Sequence, residues 1–213
     1  MNLGWMILGV TVLSAFLALG CSDDSTSVSS QRYSARLDST FAVGDSSVLE
    51  ISNFAGEVTV TPGNAGLVQV VAEKWAARQG DLNEITVDMV ALQNGVHVEA
   101  DNPSSLKSVS VDLEVTVPAD IRPAVQVAAG SIAYEGLGEG ECAFSTAAGS
   151  ITLKLPPNID AEVYLSAAAG RISIDFPVVG VVTEHLVDGV IGSGADGRIV
   201  ATVGAGQIIV TSQ

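Results

Sequence analysis

The chain has 213 residues, with 24 acidic side chains against 9 Lys and Arg, giving a net charge of −15 at neutral pH. A surface this acidic repels phosphate backbones, which excludes nucleic acid as a partner. The chain holds two cysteines, Cys21 and Cys142, so with Cys21 modified no disulfide framework exists and the apolar core must hold the fold.

The N-terminal stretch MNLGWMILGVTVLSAFLALG (1–20) carries no charge and ends in small residues before Cys21. Such a run reads as a secretory signal. Leu17-Ala18-Leu19-Gly20-Cys21 resembles a bacterial lipoprotein signal, in which the cysteine receives a lipid and becomes the mature N-terminus. The alternative is an uncleaved anchor helix, since about twenty apolar residues span a bilayer and no Lys or Arg precedes the run. Either reading puts the rest of the chain outside the cytoplasm. Residues 21–37 are Ser-rich and lack apolar periodicity, which predicts a flexible tether. Residues 38–213 are then expected to form one domain, with N-terminal strands over 38–122 and a repeat region over 123–213.

From residue 47 onward apolar and polar residues alternate, as in VLEISN, GEVTVTP, LVQVVAE, ITVDMVA, GVHVEA, SVSVDLEVTVP and SITLKLP. Gly, Pro, Asn or Asp separate these runs, the pattern of half-buried strands bounded by turns. EKWAARQGDLNEI is the best helix candidate, but Gly80 interrupts it, so it reads as a strand end and a loop with one helical turn. The prediction is an all-β fold.

The second half repeats itself: VAAGSI (127–132), TAAGSI (146–151), AAAGRI (167–172) and VGAGQI (203–208). The first three recur about every twenty residues, the signature of stacked rungs. This predicts a β-solenoid, or β-helix-like stack, built on Gly-x-Ile units. Glycine turns the corner, the polar residue after it faces solvent, and Ile132, Ile151, Ile172 and Ile208 point inward. Gly56, Gly130, Gly149, Gly170, Gly197 and Gly206 are the expected turn glycines. The stretch GSGADG (192–197) also fits G-x-G-x-x-G, a dinucleotide fingerprint. That fingerprint needs a following helix, and here the β-like RIVATV follows. Gly197-Arg198-Ile199 therefore reads as one more copy of the repeat. Only Gly194 and Asp196 match a calcium-binding β-roll motif, in one copy, which argues against calcium.

Candidate chemistry is sparse. There is no H-E-x-x-H, C-x-x-C or G-x-S-x-G spacing. His97 is expected to face solvent between inward valines. His185, beside Glu184 and near Asp188, is an exposed loop histidine, with a metal or base role as the alternative. Arg171 and Asp175, four apart, share a strand face. Asp112 and Glu114 alternate outward. Cys142 alternates with Phe144 as a small buried hydrophobe, and Tyr134 and Tyr164 follow the inward alternation. Trp75, near Lys74 and Arg78, is the candidate contact residue if exposed and a core residue otherwise. The apolar terminal run GQIIVTSQ is either capped by the N-terminal strands or an edge for self-association. The expectation is no catalytic site, no cofactor and no metal.

The runs ISNFAGEVTV (51–60), VQVVAEKWA (68–76) and VSVDLEVTVP (109–118) come first, then the Gly-polar-Ile repeats, then IGSGADGRIVATVGAGQIIV (191–210). In that order they resemble the bacterial putative-adhesin domain of unknown function, a β-solenoid-like envelope module, over residues 45–213. Ala129, Ala148, Ala169 and Ala205 stand where that family often has Asn. The resemblance implies an exported interaction or adhesion module with no catalytic residues to carry over. The expected function is therefore a lipid-anchored, non-catalytic envelope protein at the outer membrane or cell surface, with a protein or glycan partner. The alternatives are a periplasm-facing accessory or sensor lipoprotein and a polysaccharide-active β-helix enzyme.

Overall fold

Runs of Val, Ile and Thr alternating with polar residues favour extended backbone, because each face of a strand then meets a matching environment. A computed structural model describes residues 32–136, 140–195 and 197–213. There the runs become β1 (Tyr33–Ala42), β2 (Val48–Pro62), β3 (Leu67–Ala76), β4 (Thr86–Leu92), β5 (Gly95–Asp101) and β6 (Val109–Val117). They continue as β7 (Arg122–Glu135), β8 (Gly140–Leu155), β9 (Ala161–Ile174), β10 (Val179–Val182), β11 (Leu186–Ile191) and β12 (Gly197–Ser212). One short 3-10 turn, Gln79–Asn83, follows β3 where the interrupted helix candidate lies. All twelve strands belong to one sheet of mixed parallel and antiparallel pairs, and the sheet is not closed.

The long strands are bent. Gly56, Gly130, Gly149, Gly206 and Gly170 stand in register across β2, β7, β8, β12 and β9, which run parallel in that order. Their φ angles lie between 123° and 151°, a region open to glycine and costly for other residues. The carbonyls of Gly56, Gly130, Gly149 and Gly206 also lie where the next glycine's Cβ would sit, so a Cβ at Gly149 would overlap the Gly130 oxygen. Stacked corners of this closeness therefore require glycine in every strand.

The corner also shifts the alternation. In β8, Cys142, Phe144 and Thr146 are buried before the bend, and Ile151, Leu153 and Leu155 after it. The one-residue slip keeps the apolar set of both arms inside the fold, where an unbroken period of two would turn one arm inside out. The arms face each other, for Phe144 on a first arm meets Tyr134 on a second arm with ring centroids 5.0 Å apart. The core between them is aliphatic, with Leu49, Val58, Ile132, Ile151, Leu165 and Ile208 among its fully buried side chains.

Four expectations need correction. A sequentially wound solenoid would stack the repeats in chain order, but β12 lies between β8 and β9. Local repetition specifies a corner without naming its neighbour. Arg198 on β12 stands in register between Glu141 on β8 and Glu162 on β9, an order that opposite charges on neighbouring strands favour. Second, Gly197 is not a corner; it opens β12 opposite Gly140 and Ala161, and the bend of that strand is at Gly206. Third, GQIIVTSQ is no edge, because β12 is paired on both sides. Fourth, β1 begins at Tyr33, inside the stretch expected to be tether, and pairs along its whole length with β3.

At the Gly56 end the sheet forks. The first arm of β2 continues into β5 and β4, and the second arm into β6, β3 and β1. Side chains seal the fork where no further glycine corner stacks. Buried Asn53 donates from Nδ2 to the Val111 carbonyl at 2.7 Å, and the Glu57 N–H donates to Asp112 Oδ1 at 2.9 Å. At the other end β9 pairs with β11, and β11 with β10.

Candidate functional site

Inward residues of the first arms are fixed by packing, so their alternates form the outer face. Four positions before each corner glycine stands Ser52, Gln126, Ser145, Thr202 or Ser166, aligned across five parallel strands. The next outward row, further from the corner, is Glu50, Ala124, Ala143, Val200 and Tyr164. The small residues of the middle strands leave a shallow groove of roughly 360 Å³ that runs across the strands from His97 on β5 to Val200 and Thr202 on β12, with Tyr164 on β9 standing beyond it. Four strand spacings put Glu50 about 19 Å from Tyr164.

His97 on β5 closes one end. Its Nδ1 lies 3.4 Å from Glu50 Oε2 and its Nε2 3.8 Å from Glu99 Oε2, a pair of contacts that become ionic when the ring is protonated. With its side chain 33% exposed, His97 is half-buried between acids rather than simply facing solvent. The floor of Ala124, Ala143 and Val200 is apolar, while the Ser, Thr and Gln row offers both donors and acceptors. That combination suits an extended chain laid across the strands. The row was readable in the sequence as a recurring polar residue ahead of each Ala-Gly corner. Which strands would align it was not.

The described residues of GSGADG (192–197) do cradle an anion, and the anion is the chain's own Asp160. Ser193 Oγ donates to Asp160 Oδ2 at 2.8 Å and the Ala195 N–H to Oδ1 at 3.0 Å. Gly192 and Gly194 have φ of 66° and 78°, which lets the backbone wrap this closely. The Ala195 N–H above all, then the Ser193 hydroxyl and the N–H groups of Gly194 and Ser193, holds the half-buried Asp160 carboxyl below its ordinary pKa. Asp196 lies outside the described residues.

Cys142 is buried in the core, where loss of water pushes its thiol up to about 12; a Tyr134 hydrogen bond opposes that shift and Glu141 adds to it. A neutral thiol of this kind packs as a small hydrophobe. Tyr134 is buried, whereas Tyr164 stands half-exposed on the outer face, because Val163 and Leu165 take the inward positions of β9. Trp75 is half-buried on the outer face of β3, with the Arg32 guanidinium over its ring at 5.7 Å. Lys74 turns the other way and donates to the Leu82 and Ile85 carbonyls at 3.0 and 3.1 Å.

Arg171 ends up beside the corner and Asp175 beyond the end of β9, so the two do not share a strand face. Asp112 is engaged by the Glu57 N–H at the fork, and Glu114 is exposed. His185 is exposed in the β10–β11 turn, 3.2 Å from Glu184 Oε1. No group of three or more His, Cys, Asp or Glu among the described residues is placed to hold a metal ion. Cys21 lies outside the described residues.

No family model matches the chain, and no curated protein matches it. Solved structures do. A putative cell adhesion protein from Clostridium sporogenes superposes with a TM-score of 0.51 at 11% identity, over 84% of this chain and 100% of that one. A putative adhesin from Bacteroides fragilis reaches a TM-score of 0.32 at 9% identity, over 83% of this chain and 97% of that one. Identity this low shows a shared fold and nothing finer, and only the first superposition is close enough to carry that statement.

Proposed function

We propose that this chain is an exported, lipid-anchored interaction module of the cell envelope, adhesive in role and non-catalytic, which receives an extended partner chain across its stacked strands. The observation that carries the reading is the transverse groove: an aligned row of hydroxyl and amide side chains above an alanine and valine floor. Such a surface binds by many modest contacts repeated at the strand spacing, and a glycan or an extended peptide presents groups at comparable intervals. The superposition on a protein described as a putative cell adhesion protein supports the reading at the level of fold. The uncharged leader, Cys21 and the Ser-rich residues after it support export and a lipid anchor. The solenoid-like feature of the fold, its column of glycine corners, keeps the contact row straight.

Two experiments test this. Protease shaving of intact cells is expected to remove the domain, and Cys21→Ala is expected to release the chain from membranes. Protection until lysis would favour the inward-facing accessory reading instead. Ala143→Arg fills the groove floor from an outward, half-buried position and is expected to abolish adhesion of intact cells without lowering the melting temperature. Full adhesion by that variant overturns the groove, and release of sugar fragments from envelope polysaccharide overturns the non-catalytic role.

A further inference from the structure

Three strands end the branches of the sheet: β1 and β4 beyond the fork, and β10 at the far end. Exposed edges present unpaired backbone groups, and proteins blunt them with charge. Two of these edges follow that rule, since β1 carries Arg36 and Asp38 and β4 carries Asp88. The third does not. β10 has no charged residue in a chain of net charge −15, and Val179, Val181 and Val182 are 74%, 51% and 53% exposed, the most exposed large apolar side chains described.

The order of these residues says what covers them. Residues 178–182 read Val-Val-Gly-Val-Val, which is the same in both directions about Gly180. An antiparallel pair of identical strands related by a two-fold axis brings residue i of one copy opposite residue j of the other, and j opposite i. With the axis at Gly180, Val179 faces Val181 and Val178 faces Val182, so every valine meets a valine and no charge is buried. A partner of different sequence gains nothing from that symmetry.

We propose that β10 is a self-association edge, and that two copies of this chain pair antiparallel through β10 with Gly180 at the dyad, joining their sheets into one. The strand is short, so the area buried falls well below that of a stable solution dimer. Pairing is therefore weak between free molecules and strong between molecules concentrated on a surface. It does not depend on the groove or on what the groove binds.

The test is register-specific cross-linking of full chains in membranes. Chains carrying Val179→Cys are co-expressed with differently tagged chains carrying Val181→Cys and treated with a short bis-maleimide. Cys142 is buried with its thiol neutral, and the unsubstituted chain reports any background from Cys21. The expected result is cross-linking of the mixed pair well above either variant alone, lost when both chains also carry Val182→Lys. Equal cross-linking of the mixed and single variants overturns the register. A stronger signal from Val90→Cys on β4 moves the edge elsewhere and overturns the assignment. Absence of any cross-link in chains that keep the wild-type melting temperature overturns self-association.

Discussion

Gly149 occupies the centre of the corner column, with Gly130 on one side and Gly206 on the other. Replacing it with Ala introduces two separate costs. At φ 144° an L-residue is strained, by about 1–3 kcal/mol. The new methyl also overlaps the Gly130 carbonyl oxygen, which is backbone and cannot swing aside. Relief requires β7 and β8 to separate at the corner, loosening Ile132 and Ile151 just beyond it. The sum is about 3–5 kcal/mol, at the severe end for one substitution. In a domain of this size each kcal/mol moves the melting temperature by about 2–4 °C, so calorimetry of Gly149→Ala should show a fall of about 10 °C or failure to fold. Gly44→Ala is the control, because nothing lies within 4 Å of its Cβ; its effect should stay within about 0.5 kcal/mol. If Gly149→Ala melts like Gly44→Ala, close glycine stacking is not what builds the corner.

Other consequences follow from the same geometry. The pKa of Asp160 is depressed in the folded chain from its ordinary 3.8, so its contribution to stability is complete above the unfolded value and is lost as pH falls through the folded one. Asp160→Asn should therefore melt lower than wild type near neutrality and lose less on acidification, as thermal melts across pH will show. Cys142, with its thiol pushed up to about 12, should resist iodoacetamide in the native chain at mildly alkaline pH and react once denaturant unfolds it, as read by mass spectrometry. Asn53→Ala leaves the buried Val111 carbonyl without its 2.7 Å donor, at a cost of about 1–3 kcal/mol, measurable by urea titration; an equal loss in Asn53→Leu would show that the amide rather than its volume seals the fork.

What the sequence makes legible here is local. The alternation in VLEISN or SITLKLP reports which residues face the core, because burial acts on each strand separately. The Ala-Gly-polar-Ile unit reports a corner, because positive φ and close backbone approach exclude other residues at the glycine. The same logic misleads at Gly197, where Gly-Arg-Ile repeats the letters but lacks a preceding inward residue at the right spacing; that residue exists at Val203, ahead of Gly206. Partner choice is non-local and escapes periodicity altogether. Nothing within β12 announces that it separates β8 from β9 until Arg198 is seen between Glu141 and Glu162. Tyr33, Ala35 and Leu37 alternate too, but among Ser and Arg the signal is too thin to separate β1 from a tether. The polar row of the groove is spelled out four residues before each corner, yet it becomes a surface only when five strands bring those positions side by side.

The placement of β12 also bears on how the molecule comes to be folded. β8 and β9 follow each other in the chain, yet neither pairs with the other; each waits for a strand made after both. Until β12 arrives, the middle of the stack is a gap flanked by two open parallel edges, with β2, β7, β8 and the strands beyond the fork on one side and the antiparallel β9, β11 and β10 on the other. Closure joins these halves through contacts distant in sequence, the kind that slow folding most and leave intermediates sticky. Assembly of this core is a two-sided docking event completed by a single strand, and a chain caught before that step exposes its interior rather than its rim.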